Sequence, residues 1–312
     1  MIPIDDGKVP AKLQATEEAA GRFRGLDTWR TVEILETLWA SQARAVAACL
    51  PALPAVQGAV DAAVARLRGS PGRLVYAGAG SSGMVAALDA LDLGPTFNWP
   101  EDRTVVIIAG GLDLRRGPDP VAEDEAGGGR ARARDAGFDA ADVVLGISAS
   151  GGSAYTVAVL DEARRCGAMT IAVTSRADSA LARAAEHAIA VATGAEVIAG
   201  STRLAAGTAQ KLILNLFSTA VMVGLGFVFD NLMIEVRPAN AKLRQRQIAI
   251  VASIAAVDAG AAADALTRHG DVKRAVLGLA GMAEREIEAA LAGAGGNLRT
   301  ALARTARGRS EP

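Results

Sequence analysis

The sequence predicts an α/β protein: three αβα layers built on a parallel sheet of about five strands, preceded by N-terminal helices and followed by a small C-terminal helical appendage. Three observations carry that prediction. First, the runs "GRLVYAG" (72–78), "RTVVIIAGG" (103–111), "ADVVLGISAS" (141–150), "AMTIAVTS" (168–175) and "EHAIAVATG" (186–194) are short, apolar, and end in Gly or Ser. Second, they are apolar throughout rather than alternating, the pattern of strands covered on both faces. Third, Ala- and Leu-rich segments such as "GMVAALDALDL" and "SAYTVAVLDEARRCG" separate them, as helices separate parallel strands.

The elements follow in order. Residues 28–68 have apolar positions three and four apart, with Pro51 and Pro54 breaking them into two helices. The five strand runs and their helices occupy 72–194, and after residue 200 only helices are expected. "STRLAAGTAQKLILNLFSTAVMVGLG" and "NAKLRQRQIAIVASIAA" read as long helices, and the tail as short amphipathic ones divided at glycines. The expected divisions are an N-terminal helical segment (1–55), a ligand-binding α/β domain (56–250) and an appendage (251–312). "PVAEDEAGGGRARARDAG" (120–137), acidic and then glycine-rich, reads on composition as a solvated loop. No repeat of solenoid period is visible. The longest apolar stretch, 212–229, reads as a buried core helix rather than a membrane span, because α/β pattern surrounds it.

Composition narrows the function classes. The 312 residues carry a formal net charge of −1, and the basic residues are dispersed, so neither nucleic acid nor a membrane is an expected partner. Cys49 and Cys166 are far apart in sequence and lack metal-ligand spacing; no disulfide scaffold, metal or cofactor is expected. The N-terminus "MIPIDDGKVPAKLQ" lacks the apolar core of a signal peptide, and the expected location is cytoplasmic.

Chemistry in an open parallel sheet sits beyond the carboxyl ends of its strands. Two strand ends are built alike: "GAGSSG" (78–83) and "SASGGSAY" (148–155). Each offers glycines for close backbone approach, hydroxyls, and a following helix whose N-terminal N–H groups favour an anion. Gly80, Ser81, Ser82 and Gly83 on one loop, with Ser148, Ser150, Gly151 and Ser153 on the other, are the candidate phosphate-binding set. Gly78, Gly80 and Gly83 also satisfy the dinucleotide fingerprint, but that reading requires an acidic residue about 20 residues on. Asp113 lies too far along the chain, and the fingerprint leaves the second serine loop unexplained. A tetrahedral phosphomonoester suits paired hydroxyl loops better.

These loops, with "GAEVIAGSTRLAAGTAQKLILNLFSTAVM" (194–222), "FDNLMIEVRPANAKLRQRQ" (229–247), "IIAGG" and "LDALDLGPTF", resemble the sugar-isomerase (SIS) domain, and more narrowly the bacterial N-acetylmuramic acid 6-phosphate etherases. The similarity runs from about residue 15 to 250. It implies a SIS-type, flavodoxin-like sheet and a metal-free homodimer acting on a phosphorylated amino sugar in cell-wall recycling. The implied reaction cleaves the lactyl ether to N-acetylglucosamine 6-phosphate and D-lactate. It also implies two carboxyl groups for acid–base work: one falls on Glu123, with Asp124 or Glu125 as the operative group if the loop shifts, and the other on Asp92, where the family has glutamate. Met84, Gly152 and Ala205 stand where the family carries basic residues; Arg203 and Lys211 remain as candidate anion contacts, and Glu196, Ser201 and Thr208 as candidates lining the sugar. A sugar-phosphate sensor without turnover and a phosphosugar isomerase are the rival readings. Neither His187 nor His269 falls at a predicted strand end, where an isomerase base would be placed.

Overall fold

The computed structural model describes residues 15–308 except 114, 116, 118 and 239. Helices α1 (Thr31–Ala48) and α2 (Leu53–Leu67) come first, broken where Pro51 and Pro54 fall. Then strand and helix alternate: β1 (Leu74–Gly78), α3 (Gly80–Phe97), β2 (Thr104–Ile108), α4 (Ala126–Ala136), β3 (Val143–Ile147), α5 (Ala154–Arg165), β4 (Met169–Thr174), α6 (Ala180–Ala184) and β5 (His187–Ala190). The five strands are all parallel, in the order β2-β1-β3-β4-β5. That is the flavodoxin-like order, in which chain direction around the sheet reverses between β1 and β3. The expected fold class is the observed one.

Although the strands are apolar on both sides, alternation still sorts their residues into layers. Leu74, Tyr76, Val143, Leu145, Met169 and Ile171 face α2, α3 and α7 (Ala205–Gly224). Val75, Ala77, Val144 and Ala172 face α4, α5 and α6. Within α7, Ile213, Leu214, Phe217, Val221 and Met222 are buried, so the longest apolar stretch is a core helix as expected. The membrane-length candidate lies elsewhere. Among the described residues Thr31–Leu67 is long and apolar enough to cross a membrane, and 28% of its most apolar window is buried.

Two expectations are corrected. Residues 120–137 are not one loop: a 3-10 turn (Val121–Asp124) leads into α4. The glycines that suggested a loop serve helix packing, since a Cβ at Gly129 would stand 2.4 Å from the carbonyl oxygen of Tyr155 on α5. Strands also do not stop at residue 200. β6 (Val228–Phe229) and β7 (Leu232–Met233) form a small antiparallel hairpin, turning at Asp230, whose φ is +50°. Phe229 and Leu232 are thereby set against a third apolar cluster, built mainly from α8 (Ala241–Ala255), α9 (Ala259–His269), α10 (Val272–Leu279), α11 (Glu284–Gly293) and α12 (Leu298–Gly308).

The tightest backbone approach in the first βα unit fixes where α3 begins. A Cβ at Gly78 would lie 2.9 Å from Gly83 Cα, and one at Gly83 would lie 3.1 Å from the Gly78 carbonyl. Gly78→Ala is therefore expected to destabilise the protein by about 1–3 kcal/mol through overpacking. The measurement is a lower urea midpoint at unchanged m-value.

Candidate active site

Both serine loops lie at the carboxyl ends of adjacent strands, β1 and β3, so the structure brings the two halves of the predicted phosphate site together. In the first loop Ser82 is buried inside the opening turn of α3, and its Oγ accepts from Gln210 Nε2 on α7 at 3.0 Å. Gly80 and Ser81 remain half-buried at the helix start. In the second loop the Gly151 N–H donates to Ser148 Oγ at 3.1 Å, and the Gly152 N–H to Ser150 Oγ at 3.1 Å. The two hydroxyls are 3.4 Å apart. Ser153 caps α5, its Oγ accepting from the Thr156 N–H. These contacts hold the loop in a fixed turn at the head of a helix, where N–H groups and the helix dipole favour an anion.

Glu123 sits where the loops converge. Its Oε2 is 3.8 Å from the Cβ position of Gly80, and its backbone carbonyl accepts from Ser153 Oγ at 3.4 Å. Burial, with Asp124 adding like charge, raises its carboxyl above the ordinary glutamate range. A raised carboxyl beside an anion site can hold or release a proton nearer neutrality, as acid–base catalysis requires.

Asp92 is placed differently. It is exposed, near the C-terminal end of α3, twelve residues beyond Gly80 and hence about 18 Å along the helix axis. Glu123 thus stands beside the start of α3 and Asp92 near its end. The helix that starts at the first serine loop carries Asp92 away from it.

Three other candidates are held by partners inside the fold. Glu196, expected to line the sugar, is buried, and its two oxygens accept from the backbone N–H groups of Ala205 and Ala206 at 2.8 and 2.9 Å. It caps α7, whose first N–H groups have no intrahelical partner. Lys211, expected to contact the substrate anion, lies 3.3 Å from Asp89, a buried carboxylate that requires a counterion. Thr208 donates to Gln42 Oε1 and ties α7 to α1. Ser201 is half-buried and Arg203 exposed, both just ahead of α7.

Sequence reasoning missed Asp89, Tyr76 and Gln210. Asp89 also accepts from the Tyr76 hydroxyl at 3.1 Å, and burial beside that carboxylate holds the phenol well above its usual range. Gln210 is buried, and its Oε1 has no partner among the described residues. For Asp89 and Tyr76 the available signal was a polar group inside an apolar run; Gln210, in "GTAQKL", carried none. Both cysteines are free thiols, and among the described residues no group of His, Cys, Asp and Glu is arranged to hold a metal.

The SIS domain family matches residues 127–220, which run from α4 through the second serine loop into α7. A SIS domain is thus the class that sheet order and loops define. The N-acetylmuramic acid 6-phosphate etherase of Symbiobacterium thermophilum is 44% identical over 259 residues, covering 81% of this chain and 84% of that protein. The enzyme of the same name from Streptomyces coelicolor is 42% identical over 92% of this chain and 93% of its own. The chain belongs to the N-acetylmuramic acid 6-phosphate etherase family.

The raised Glu123 carboxyl has a consequence for stability. Folding disfavours its charged form, so the penalty is present above the folded-state value and vanishes once the group is protonated in both states. Glu123→Gln is expected to raise the thermal midpoint at pH 8 and leave it unchanged near pH 3, measured by calorimetry at both pH values.

Proposed function

We propose that this chain cleaves the D-lactyl ether of N-acetylmuramic acid 6-phosphate, and that Glu123, set between the two serine loops, is one of its acid–base groups. The position of Glu123 carries the reading: a carboxyl with raised proton affinity stands 3.8 Å from the Gly80 Cβ position. Identity above 40% to etherases over most of the chain supports the same reaction. Residues 56–250 form the sugar-phosphate-binding part, 1–55 the N-terminal helical segment and 251–312 the appendage. The setting is sugar recycling from the cell wall, in the cytoplasm.

The chemistry follows from the substrate. In the ring-opened sugar the ether oxygen is bonded to carbon 3, β to the aldehyde. A base takes the carbon 2 proton, the carbon 3–oxygen bond breaks, and an acid protonates the departing lactyl oxygen. Water then adds hydroxyl to carbon 3 and hydrogen to carbon 2, so substrate plus water balances N-acetylglucosamine 6-phosphate plus lactate. The serine loops hold the 6-phosphate through hydroxyls and backbone N–H groups. Assay of D-lactate from N-acetylmuramic acid 6-phosphate tests the reading: Glu123→Gln is expected to lower kcat by about 100-fold or more, the scale of a lost acid–base group. Phosphosugar binding by calorimetry with no lactate from the wild type overturns it in favour of a sensor.

We propose further that the protein is a homodimer joined through the outer faces of α1, α3 and α7. Val32, Leu35 and Trp39 on α1, Leu216 on α7, and Leu88 and Leu91 on α3 are exposed, Trp39 to 74% and Leu91 to 62%. At roughly 100 Å² of exposed apolar surface each, these six side chains offer about 600 Å², and homodimer interfaces are about 65% apolar. The implied total of about 900 Å² per subunit matches a standard stable interface. Leu91→Asp is expected to convert the dimer to a monomer in sedimentation analysis, with an unchanged far-UV spectrum.

A further inference from the structure

We infer that Gln210 is a positioning residue for the phosphate site: its side-chain amide holds Ser82 so that the hydroxyl proton is left for a phosphate oxygen. This role rests on the reading of the serine loops as the site of the 6-phosphate, and it adds a residue outside both loops. Gln210 lies on α7, far from Ser82 in sequence, and both side chains are buried. The start of α7 is itself fixed, because the Glu196 carboxylate accepts from the N–H groups of Ala205 and Ala206. The Gln210 donor therefore stands about one helical turn from an anchored point.

Hydrogen-bond accounting at Ser82 carries the role. A hydroxyl has one proton and two lone pairs. A serine at a helix start ordinarily uses them locally, accepting from a nearby N–H or donating to a carbonyl one turn back. Ser153 and Ser179, at the starts of α5 and α6, each accept from the N–H three residues on. Ser82 does neither: its Oγ accepts from Gln210 Nε2 at 3.0 Å. The carbonyls one turn back are engaged elsewhere, Gly78 by the Ala109 N–H at 3.0 Å and Ala79 by the Gly83 N–H at 2.9 Å. With one lone pair filled by an N–H and those carbonyls occupied, the Ser82 proton is left for an acceptor brought to the loop. Ala79, at the N-cap of α3, supplies no side-chain acceptor to that turn. An anion seated there meets the N–H groups of the helix start and the hydroxyl proton together.

The other end of the amide supports the same assignment. Gln210 Oε1 is buried and has no partner among the described residues. Burying an unpaired amide oxygen costs free energy that an apolar side chain of similar length avoids. The buried neighbours of Gln210 along α7, Ala206, Ala209, Ile213 and Leu214, are all apolar. A methionine or leucine would fill this position without the unpaired oxygen. What the amide adds is the N–H given to Ser82.

A double-mutant cycle tests the role, read by calorimetric titration with N-acetylglucosamine 6-phosphate, the product of the proposed reaction. Ser82→Ala and Gln210→Met are each expected to weaken binding about 10-fold, the scale of one hydrogen bond to a charged group. Together they are expected to cost about 10-fold again rather than about 100-fold, because Gln210 acts through Ser82. Losses that multiply in the double variant overturn the role. So does a Gln210→Met chain that binds as the wild type does while its urea midpoint falls, the mark of packing alone. Gln210→Glu keeps the shape of the side chain and offers Ser82 an acceptor in place of a donor. It is expected to weaken binding more than 10-fold, and wild-type affinity in this variant overturns the role whatever happens to Gln210→Met. A wild type that binds the phosphosugar without releasing D-lactate overturns the etherase reading alone, and the cycle still judges Gln210. A wild type that binds neither the phosphosugar nor inorganic phosphate overturns the reading of the loops, and the role of Gln210 with it.

Discussion

The contact between Gly78 and Gly83 sets the geometry on which the rest depends. Because neither residue has a Cβ, the last residue of β1 and the first turn of α3 approach to a separation that side chains would forbid. That seats the N-terminal N–H groups of α3 directly over the strand end. It also fixes where Ser82 enters the core to meet Gln210, and so fixes α3 against α7. Glu123, on the 3-10 turn Val121–Asp124, lies between the start of α3 and the second loop, its Oε2 beside Gly80 and its carbonyl accepting from Ser153.

Charge inside the protein follows a related logic. Asp142 is buried and receives the backbone N–H and the guanidinium of Arg73, together with the Asp139 N–H, tying the entry of β1 to that of β3 at the end of the sheet away from the loops. The carboxyl is held below its usual range by those donors, against the effect of burial. Asp89 and Glu196 are satisfied in the same way, one by Tyr76 and Lys211, the other by two N–H groups of α7. Glu123 receives no comparable set among the described residues and is shifted the other way. Buried carboxylates with donors hold the scaffold together, while burial leaves the half-buried one between the loops with a raised proton affinity.

Much of this was legible in the sequence. Five apolar runs ending in Gly or Ser pointed to the sheet, and the two serine loops stand at adjacent strand ends as their position in the sequence suggested, because strand ends and helix starts are local signals. Glu123 was reached through family resemblance, since composition alone made its segment a loop. The roles of Glu196, Thr208 and Lys211 were not legible. Their partners, at Ala205 and Ala206, Gln42 and Asp89, are set by how helices pack, and a motif does not say which of its polar residues the fold consumes. The β6–β7 hairpin escaped because two-residue strands are too short for periodicity, although Asp-Asn between apolar pairs marks the turn.

An acidic residue one methylene short of the family's glutamate bears differently on a site within a chain and on one shared between chains. Inside a chain, α3 is fixed at its start by the glycine contact and along its length by α7, so a carboxyl withdrawn by about 1.5 Å stays withdrawn. A misplacement of about 1 Å can cost ~100-fold in rate. Across an interface the reach of residue 92 depends on how closely two helices pack, and spacing between packed helices varies from about 8 to 10 Å with the side chains at the contact. The small residues of this α3, Ala86, Ala87 and Ala90, all turn inward, and leucines form the outer stripe. Leu88 and Leu91 thus leave an exposed apolar edge beside Asp92 on the outer face of α3.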